Sequence, residues 1–298
     1  MYKGVYTALV TPFTEKNNID ERALRELVDR QIKAGVTGLV PVGTTGECPT
    51  LTSDEKKLVI STVVHQADGR VPVIAGAGGN NTKEAVFQSR IAAELGADAT
   101  LQVVPYYNKP TQQGLIEHFT AIADSVDLPV VLYNVPGRTG VSLANESILK
   151  LSQHPRIVAV KVACGNIPNI MDLISKKHED FDVLSGDDNL VYPIMLLGGS
   201  GVISVASNLY PRQISDMVKA CFNNEREKAR QLHYRLLPFF KSLFIESNPI
   251  PIKAAMAMKG YIQENYRLPL CALTYEHRKE LERIIEVCES EEQVGAVQ

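Results

Sequence analysis

The feature that most constrains the fold is a regular alternation of short apolar runs with longer amphipathic segments. Eight runs rich in Val, Ile and Ala have the length of single β-strands, at residues 5–10, 38–42, 71–75, 99–103, 130–134, 157–162, 182–185 and 201–204. Helix-length segments separate them, and strands joined by such crossovers run parallel. Because eight parallel strands are the number that closes a (β/α)8 barrel, the sequence predicts an α/β TIM barrel.

The intervals between these runs carry helical periodicity. Helices are predicted at 20–34, from Ser53 onward, and at 83–95, 112–125, 145–153, 167–177, 189–197 and 211–223. Beyond residue 224 no strand pattern remains, and helices are predicted at 226–244, 251–263 and 275–290, before a frayed tail at 291–298. We therefore expect a catalytic barrel at 1–224 and a C-terminal helical region at 225–298. A doubly wound open sheet is the alternative, but no GxGxxG motif follows the first strand.

Composition narrows the classes of function. The 298 residues are 45% hydrophobic with a net charge of -3 and no basic run, which argues against nucleic acid or an anionic membrane surface as a partner. No apolar stretch reaches the length of a membrane span, and the N-terminus lacks a signal-peptide pattern, so a cytoplasmic enzyme is expected. The five cysteines form no CxxC and the six histidines no HExxH, so no metal site is expected.

The run at 157–162 is the most informative because it carries a single charge, Lys161, among apolar residues. Side chains alternate along a strand. This places Lys161 inward with Ile157, Ala159 and Ala163, and the valines at 158, 160 and 162 outward. Burial disfavours an ammonium, and a neutral amine is a nucleophile toward carbonyls. The alternative is a lysine that reaches the barrel rim or pairs with a carboxylate.

Polar residues gather where other strands end, which is the face where barrel enzymes carry their chemistry. The loop after strand 2 reads Gly43-Thr44-Thr45-Gly46-Glu47, and its backbone and hydroxyls suit a carboxylate, although an ordinary turn is the alternative. Arg138 lies in a Pro/Gly-rich turn after strand 5, either as a carboxylate-binding fork or as a solvated charge. Tyr106, Tyr107 and Tyr133 are equally compatible with rim packing. The segment SGDD at 185–188 is expected to cap a helix.

At this point the motifs can be compared with known families. GTTGE at 43–47, YYNKP at 106–110, YNVPGRTG at 133–140, Lys161, SGDD at 185–188, GVISVASN at 201–208 and NPIPIKAA at 248–255 occur in this order. The chain resembles the dihydrodipicolinate synthase / N-acetylneuraminate lyase family over essentially its whole length, and most closely the synthase members. The resemblance implies a barrel, usually assembled as a dimer of dimers, with lysine-dependent class I aldolase-type lyase chemistry.

The resemblance also implies roles for individual residues. Lys161 would form the Schiff base with pyruvate, and Tyr133 would transfer protons beside it. Thr44 and Tyr107 would complete a relay with Tyr133, and Tyr107 would reach in from a neighbouring subunit.

The substrate contacts are implied in the same way. Thr45, with the backbone at Gly186 and Ile203, would hold the pyruvate carboxylate. Arg138 would bind the carboxylate of L-aspartate 4-semialdehyde, the second substrate. The implied reaction is the first committed step of diaminopimelate and lysine synthesis, without a metal or organic cofactor.

Departures and rivals within the family remain. Val162 and Cys164 replace residues that the family usually has after the lysine, and neither position carries an assigned role. A lyase for N-acetylneuraminate or 2-keto-3-deoxy-sugar acids is the main rival, and a non-catalytic keto-acid-binding barrel is another. The GRTG turn and the Thr44-Thr45 pair favour the synthase.

Feedback-regulated relatives bind L-lysine in a cleft at a dimer interface. The matching positions in this chain are Cys48, Pro49, Ser53, Lys56, Asn80, Glu84 and Tyr106. Sensitive bacterial members have histidines at positions 53 and 56, so Ser53 and Lys56 predict weak or absent inhibition.

Overall fold

The computed structural model describes residues 2–295, with side chains described for residues 2–290. Within this range an eight-stranded, all-parallel sheet has the order β2-β1-β8-β7-β6-β5-β4-β3. Its strands are Gly4–Ala8 (β1), Gly38–Val40 (β2), Ile74–Gly76 (β3), Ala99–Val103 (β4), Val130–Asn134 (β5), Ile157–Val162 (β6), Asp182–Ser185 (β7) and Gly201–Ser204 (β8). A parallel bridge from Leu39 to Val73 joins the two ends of the sheet. The predicted TIM barrel is confirmed.

Helices surround the strands. Those of the first part are Glu21–Lys33 (α1), Ser53–Ala67 (α2), Thr82–Glu94 (α3), Gln112–Ser125 (α4), Pro136–Thr139 (α5), Asn145–Leu151 (α6), Ile167–Lys176 (α7), Val191–Leu196 (α8) and Pro211–Phe222 (α9). The helix after Thr52 is fixed by a capping box, since the Thr52 hydroxyl accepts from the Glu55 N–H and the Glu55 carboxylate accepts from the Thr52 N–H. The short helix α5 was missed, because Pro136 and Gly137 indicated only a turn.

The C-terminal helices are Arg226–Ser242 (α10), Ile250–Met258 (α11) and Tyr275–Gly295 (α12). Helix α11 ends at Met258 rather than at the predicted residue 263. Gly260, two residues beyond that end, adopts a left-handed conformation with φ 72°. The predicted fraying was wrong for 291–295, which continue α12, and residues 296–298 lie outside the described residues. Phe239 of α10 and Ile252 of α11 are buried in one apolar cluster with Leu24 of α1, so these helices pack directly on the barrel.

The strict alternation predicted for β6 is broken near its start. Val130 pairs with Ile157 but Val131 pairs with Ala159, so β6 has one extra residue at this point. As a result Ile157 packs in the outer layer and Val158 against the barrel interior, the reverse of the prediction. Beyond the irregularity the prediction is confirmed: Val160 and Val162 pack outward, and Ala159 packs inward.

The barrel interior is filled by its own apolar cluster, distinct from the layer under the helices. Its members include Tyr6, Val40, Ile74, Leu101, Val131, Ala159, Leu184 and Ile203, one or more from each strand. The polar residues of interest therefore lie above a packed core, at the ends where the strands lead into their following loops. In the part of the chain that the structure describes, no helix is both long and apolar enough to cross a membrane.

Candidate active site

Lys161 and Tyr133 are neighbours at the ends of adjacent strands. They are register partners between β5 and β6. Lys161 is 5% exposed, and its Nζ lies 4.2 Å from the centroid of the Tyr133 ring. A cation over an aromatic face is electrostatically favoured. The predicted inward-facing lysine thus shares its site with a phenol that can donate or accept a proton.

Gly186 closes the site on the β7 side. Its N–H donates to the Val162 carbonyl at 2.7 Å. A Cβ at this position would lie 2.9 Å from Lys161 Cε and 2.8 Å from Ala163 Cβ. A glycine is therefore required for the lysine stem to pass. Because the Gly186 N–H already has an acceptor, its backbone donor is not available to a substrate carboxylate.

Replacement of Gly186 by Ala should displace the lysine stem rather than unfold the barrel. Misplacing a reacting group by about 1 Å can cost about 10²-fold in rate, so we expect kcat to fall by about tenfold or more. The matched control is Gly79→Ala, since Gly79 also follows a strand but a Cβ there meets nothing within 4 Å. Steady-state kinetics should separate the two variants, and equal kcat values would contradict the steric role of Gly186.

The predicted role of the SGDD segment as a helix cap was wrong. Asp187 precedes a short 3-10 helix without a side-chain cap. Asp188 instead accepts from the Ser204 hydroxyl at 2.5 Å and from the N–H groups of Val205 and Ala206 at 3.0 and 2.9 Å. Burial raises the pKa of the Asp188 carboxyl, and these donors together with the Lys161 charge oppose that shift. The segment therefore ties the end of β7 to the end of β8 beside the lysine.

Asn248 joins the two predicted carboxylate-binding elements. Its side-chain Nδ2 donates to Thr45 Oγ1 at 3.1 Å. Its carbonyl accepts from Arg138 Nη2, also at 3.1 Å. Thr45 is buried, whereas Arg138 is exposed to solvent at the end of the barrel where the strands lead into their following loops. Sequence reasoning missed Asn248, and its only signal was its place in the NPIPIKAA motif.

A cavity of about 260 Å³ is lined by members of both groups of predicted site residues. Its lining includes Thr44, Tyr133 and Arg138 of the catalytic and substrate-binding group and Cys48, Pro49, Lys56 and Tyr106 of the possible regulatory group, whereas Lys161 and Thr45 are not lining residues. Burial raises the pKa of the Cys48 thiol to about 11, so this cysteine is a neutral side chain near pH 7. Some of the catalytic positions and some of the possible regulatory positions thus face one continuous space.

The remaining positions of the possible regulatory site do not line this cavity. Asn80 Nδ2 donates to the Tyr106 carbonyl at 3.3 Å, and the Glu84 carboxylate accepts from Gln88 at 2.7 Å. Ser53 is exposed at the start of α2.

Tyr107 is not brought together with the other predicted residues. Tyr107 is 90% exposed, has a left-handed backbone with φ 73° and does not line the cavity. The side chain of Ile203 is fully buried in the barrel interior, and the role predicted for the backbone of Ile203 stays a prediction. Among residues 2–290 no three His, Cys, Asp or Glu side chains are placed together as metal ligands.

Comparison with known proteins is consistent with this geometry. The dihydrodipicolinate synthetase family is matched over residues 1–288, and the chain belongs to that family. The 4-hydroxy-tetrahydrodipicolinate synthase of Koribacter versatilis is 52% identical over 283 residues, which cover 95% of this chain and 94% of the relative. The family and the lyase class expected from the sequence are confirmed.

Solved structures of similar proteins share the fold. Dihydrodipicolinate synthase from Acinetobacter baumannii, described as chloride-inhibited and complexed with pyruvate, has a TM-score of 0.95 and 41% identity over 97% of this chain and 99% of that one. The enzyme from Cyanidioschyzon merolae, described with lysine bound, has a TM-score of 0.94 and 40% identity over 97% of this chain and 98% of that one.

Proposed function

We propose that this enzyme condenses pyruvate, held as a Schiff base on Lys161, with L-aspartate 4-semialdehyde. The observation that carries the proposal is the buried amine of Lys161 against the Tyr133 ring, next to a cavity with Arg138 at its mouth. The names of the curated relatives support the same reaction.

The chemistry follows from an amine placed beside a phenol. The Lys161 amine adds to the C2 carbonyl of pyruvate, and loss of water with uptake of one proton gives an iminium ion. The iminium acts as an electron sink, so the methyl group loses a proton and an enamine forms. The enamine carbon attacks the aldehyde of the second substrate. The amino group of that substrate then adds to C2 and displaces Lys161, which releases the cyclic product. Tyr133 is the nearest group to carry the protons.

The second proposal concerns how the substrates are held. Thr45 and its loop bind the pyruvate carboxylate, with the backbone at Gly186 and Ile203 forming the opposite wall. Since the Gly186 N–H donates to Val162, the donors for this carboxylate come from the Thr44-Thr45 side. Arg138, exposed at the mouth, binds the carboxylate of the semialdehyde.

The third proposal is that the site is completed by another subunit. Tyr107 is a large side chain that is 90% exposed and held away from its own cavity by a left-handed backbone. This arrangement supports an interface at which Tyr107 joins Thr44 and Tyr133 of the neighbouring site, and the family resemblance extends the proposal to a homotetramer, a dimer of dimers. The cytoplasmic location and the division at residue 224 stay predictions.

A comparison of substrates tests the proposed reaction. With pyruvate present, the enzyme should form a cyclic product from L-aspartate 4-semialdehyde and should not cleave N-acetylneuraminate. Cleavage of N-acetylneuraminate or of a 2-keto-3-deoxy-sugar acid at a higher kcat/KM would assign the chain to the rival aldolases. Turnover of none of them, with pyruvate bound, would indicate a keto-acid-binding barrel.

We expect L-lysine to inhibit weakly or not at all. Lys56 lines the cavity beside Cys48 and Tyr106, where a lysine ligand would bring a second ammonium. Like charges about 4–6 Å apart at an effective dielectric near 20 repel by roughly 3–4 kcal/mol, although exposure and salt reduce this figure. The measurement is the initial rate against lysine concentration at saturating pyruvate.

A charge-removing variant provides the control for this prediction. Lys56→Gln should bind lysine more tightly than the natural enzyme, because the repulsion is gone while Asn80, Glu84 and Tyr106 remain. Half-inhibition of the natural enzyme at sub-millimolar lysine would show that the interpretation of Ser53 and Lys56 is wrong.

A further inference from the structure

A second buried lysine lies outside the proposed chemistry. Lys253, in the first turn of α11, and Glu47, at the end of the Gly43–Glu47 loop, both have fully buried side chains, and Nζ lies 2.5 Å from Oε1. The ammonium lies 4.3 Å from the centroid of the Phe13 ring and 5.4 Å from that of Tyr266. Burial lowers the pKa of Lys253, and the adjacent Glu47 opposes the shift. Such a pair is costly to bury unless its geometry is well satisfied.

Glu47 fixes the end of the loop that carries Thr44 and Thr45. Its backbone is left-handed, with φ 56°, a conformation that a glutamate adopts only when its surroundings impose it. Its second carboxylate oxygen accepts from the Arg267 N–H at 3.3 Å. The Arg267 guanidinium in turn makes two contacts to Glu55, at 2.8 and 2.6 Å. Groups from the C-terminal region therefore hold the loop from one side.

The segment that carries Lys253 also contacts both substrate-binding residues. Asn248, five positions earlier, donates to Thr45 and accepts from Arg138 through its carbonyl. The Lys253 N–H donates to the Pro249 carbonyl at 3.0 Å, which joins Lys253 to this segment through one turn. Residues 248–253, which precede and begin α11, thus contact the Gly43–Glu47 loop that carries Thr44 and Thr45 at two points, Thr45 and Glu47.

We propose that the buried Lys253–Glu47 pair is a positioning device that sets the conformation of the Thr44-Thr45 loop for pyruvate binding. Lys253 and Glu47 are positioning residues and form no bond to substrate. The inference rests on the proposed function, because it takes the loop as the pyruvate site. A purely stabilising pair would be replaceable by apolar side chains of similar volume, whereas a positioning pair would not.

The test compares Lys253→Met, Glu47→Gln and the double variant Glu47→Leu/Lys253→Met. Removing one partner of a buried pair leaves an uncompensated charge, while replacing both is often neutral for stability. We expect the double variant to unfold near the temperature of the natural enzyme. In the double variant, the pyruvate concentration at which borohydride traps half of the maximal amount of pyruvate adduct should nevertheless rise about tenfold or more. Small displacements of a binding loop have effects of this size. Each single variant that folds should show the same rise in the pyruvate concentration for half-maximal trapping.

The control is Lys259→Met, at the residue that immediately follows the same helix. Lys259 pairs with Glu289 of α12 at 2.6 Å and lies at the far end of α11, away from the loop. In this control variant the pyruvate concentration for half-maximal trapping should not change. If the double variant reached half-maximal trapping at the same pyruvate concentration as the natural enzyme, the inference would be overturned and the proposed function would remain intact. Absence of pyruvate trapping in the natural enzyme itself would overturn the proposed function, and the inference with it.

Discussion

Lys161→Ala should abolish turnover, with kcat falling by at least about 10³-fold, because removal of the covalent nucleophile leaves only binding and proton transfer. The fold should persist, since truncation removes a costly buried amine from a site that is otherwise formed by Tyr133, Ala163 and Gly186. Circular dichroism and steady-state kinetics on the same preparation check both statements.

Lys161→Arg is the matched variant for charge. It keeps a cation at the site but cannot form a Schiff base, so its turnover should fall as far as that of Lys161→Ala. Retention of more than about a tenth of the natural kcat in either variant would show that catalysis does not depend on a covalent bond at this position.

Arg138→Ala should lower kcat/KM for L-aspartate 4-semialdehyde while leaving pyruvate trapping unchanged. Truncating one partner of a buried charge pair costs about 2–5 kcal/mol, and the lower end applies because Arg138 is exposed in the free protein. The expected loss is therefore about 30-fold. Kinetics at saturating pyruvate with varied semialdehyde measure it.

Two variants sharpen the interpretation of Arg138. Arg138→Lys keeps the charge without the bidentate fork and should recover only part of the loss. Arg22→Ala, an exposed guanidinium on α1, should change nothing. An unchanged kcat/KM in Arg138→Ala would contradict its role, and a parallel loss of pyruvate trapping would mean that Arg138 acts through Asn248 and Thr45 instead.

The sequence was sufficient for the features that depend on local pattern. Strand-length apolar runs and helical periodicity predicted the barrel, and a single charge in an apolar strand predicted Lys161. The inward and outward directions predicted from strict alternation along β6 were right at Lys161 but wrong at Ile157 and Val158. The reason is that an extra residue in one strand depends on pairing with β5, which the sequence of β6 alone does not contain.

Contacts between distant segments could not be predicted. Asn248 reaches Thr45 and Lys253 reaches Glu47 across about 200 residues of sequence, and such pairings follow from how α11 packs on the barrel. Lys253 did carry the same signal as Lys161, a lone charge in the apolar stretch PIPIKAAMAM. A buried lysine alone does not distinguish a nucleophile from an ion-paired residue; the nearest partner does. Lys253 is paired with a carboxylate, whereas Lys161 lies over a tyrosine ring.

The most direct measurement is therefore borohydride reduction with pyruvate, followed by trypsin digestion and mass spectrometry. A reduced adduct blocks cleavage after the modified lysine. If Lys161 is the nucleophile, one pyruvate-derived mass should appear on a peptide spanning residues 157–176, because cleavage occurs after Arg156 and Lys176 but not after Lys161. The peptide 242–253 should remain unmodified. No adduct, or an adduct on a peptide spanning 242–259 through Lys253, would contradict the account.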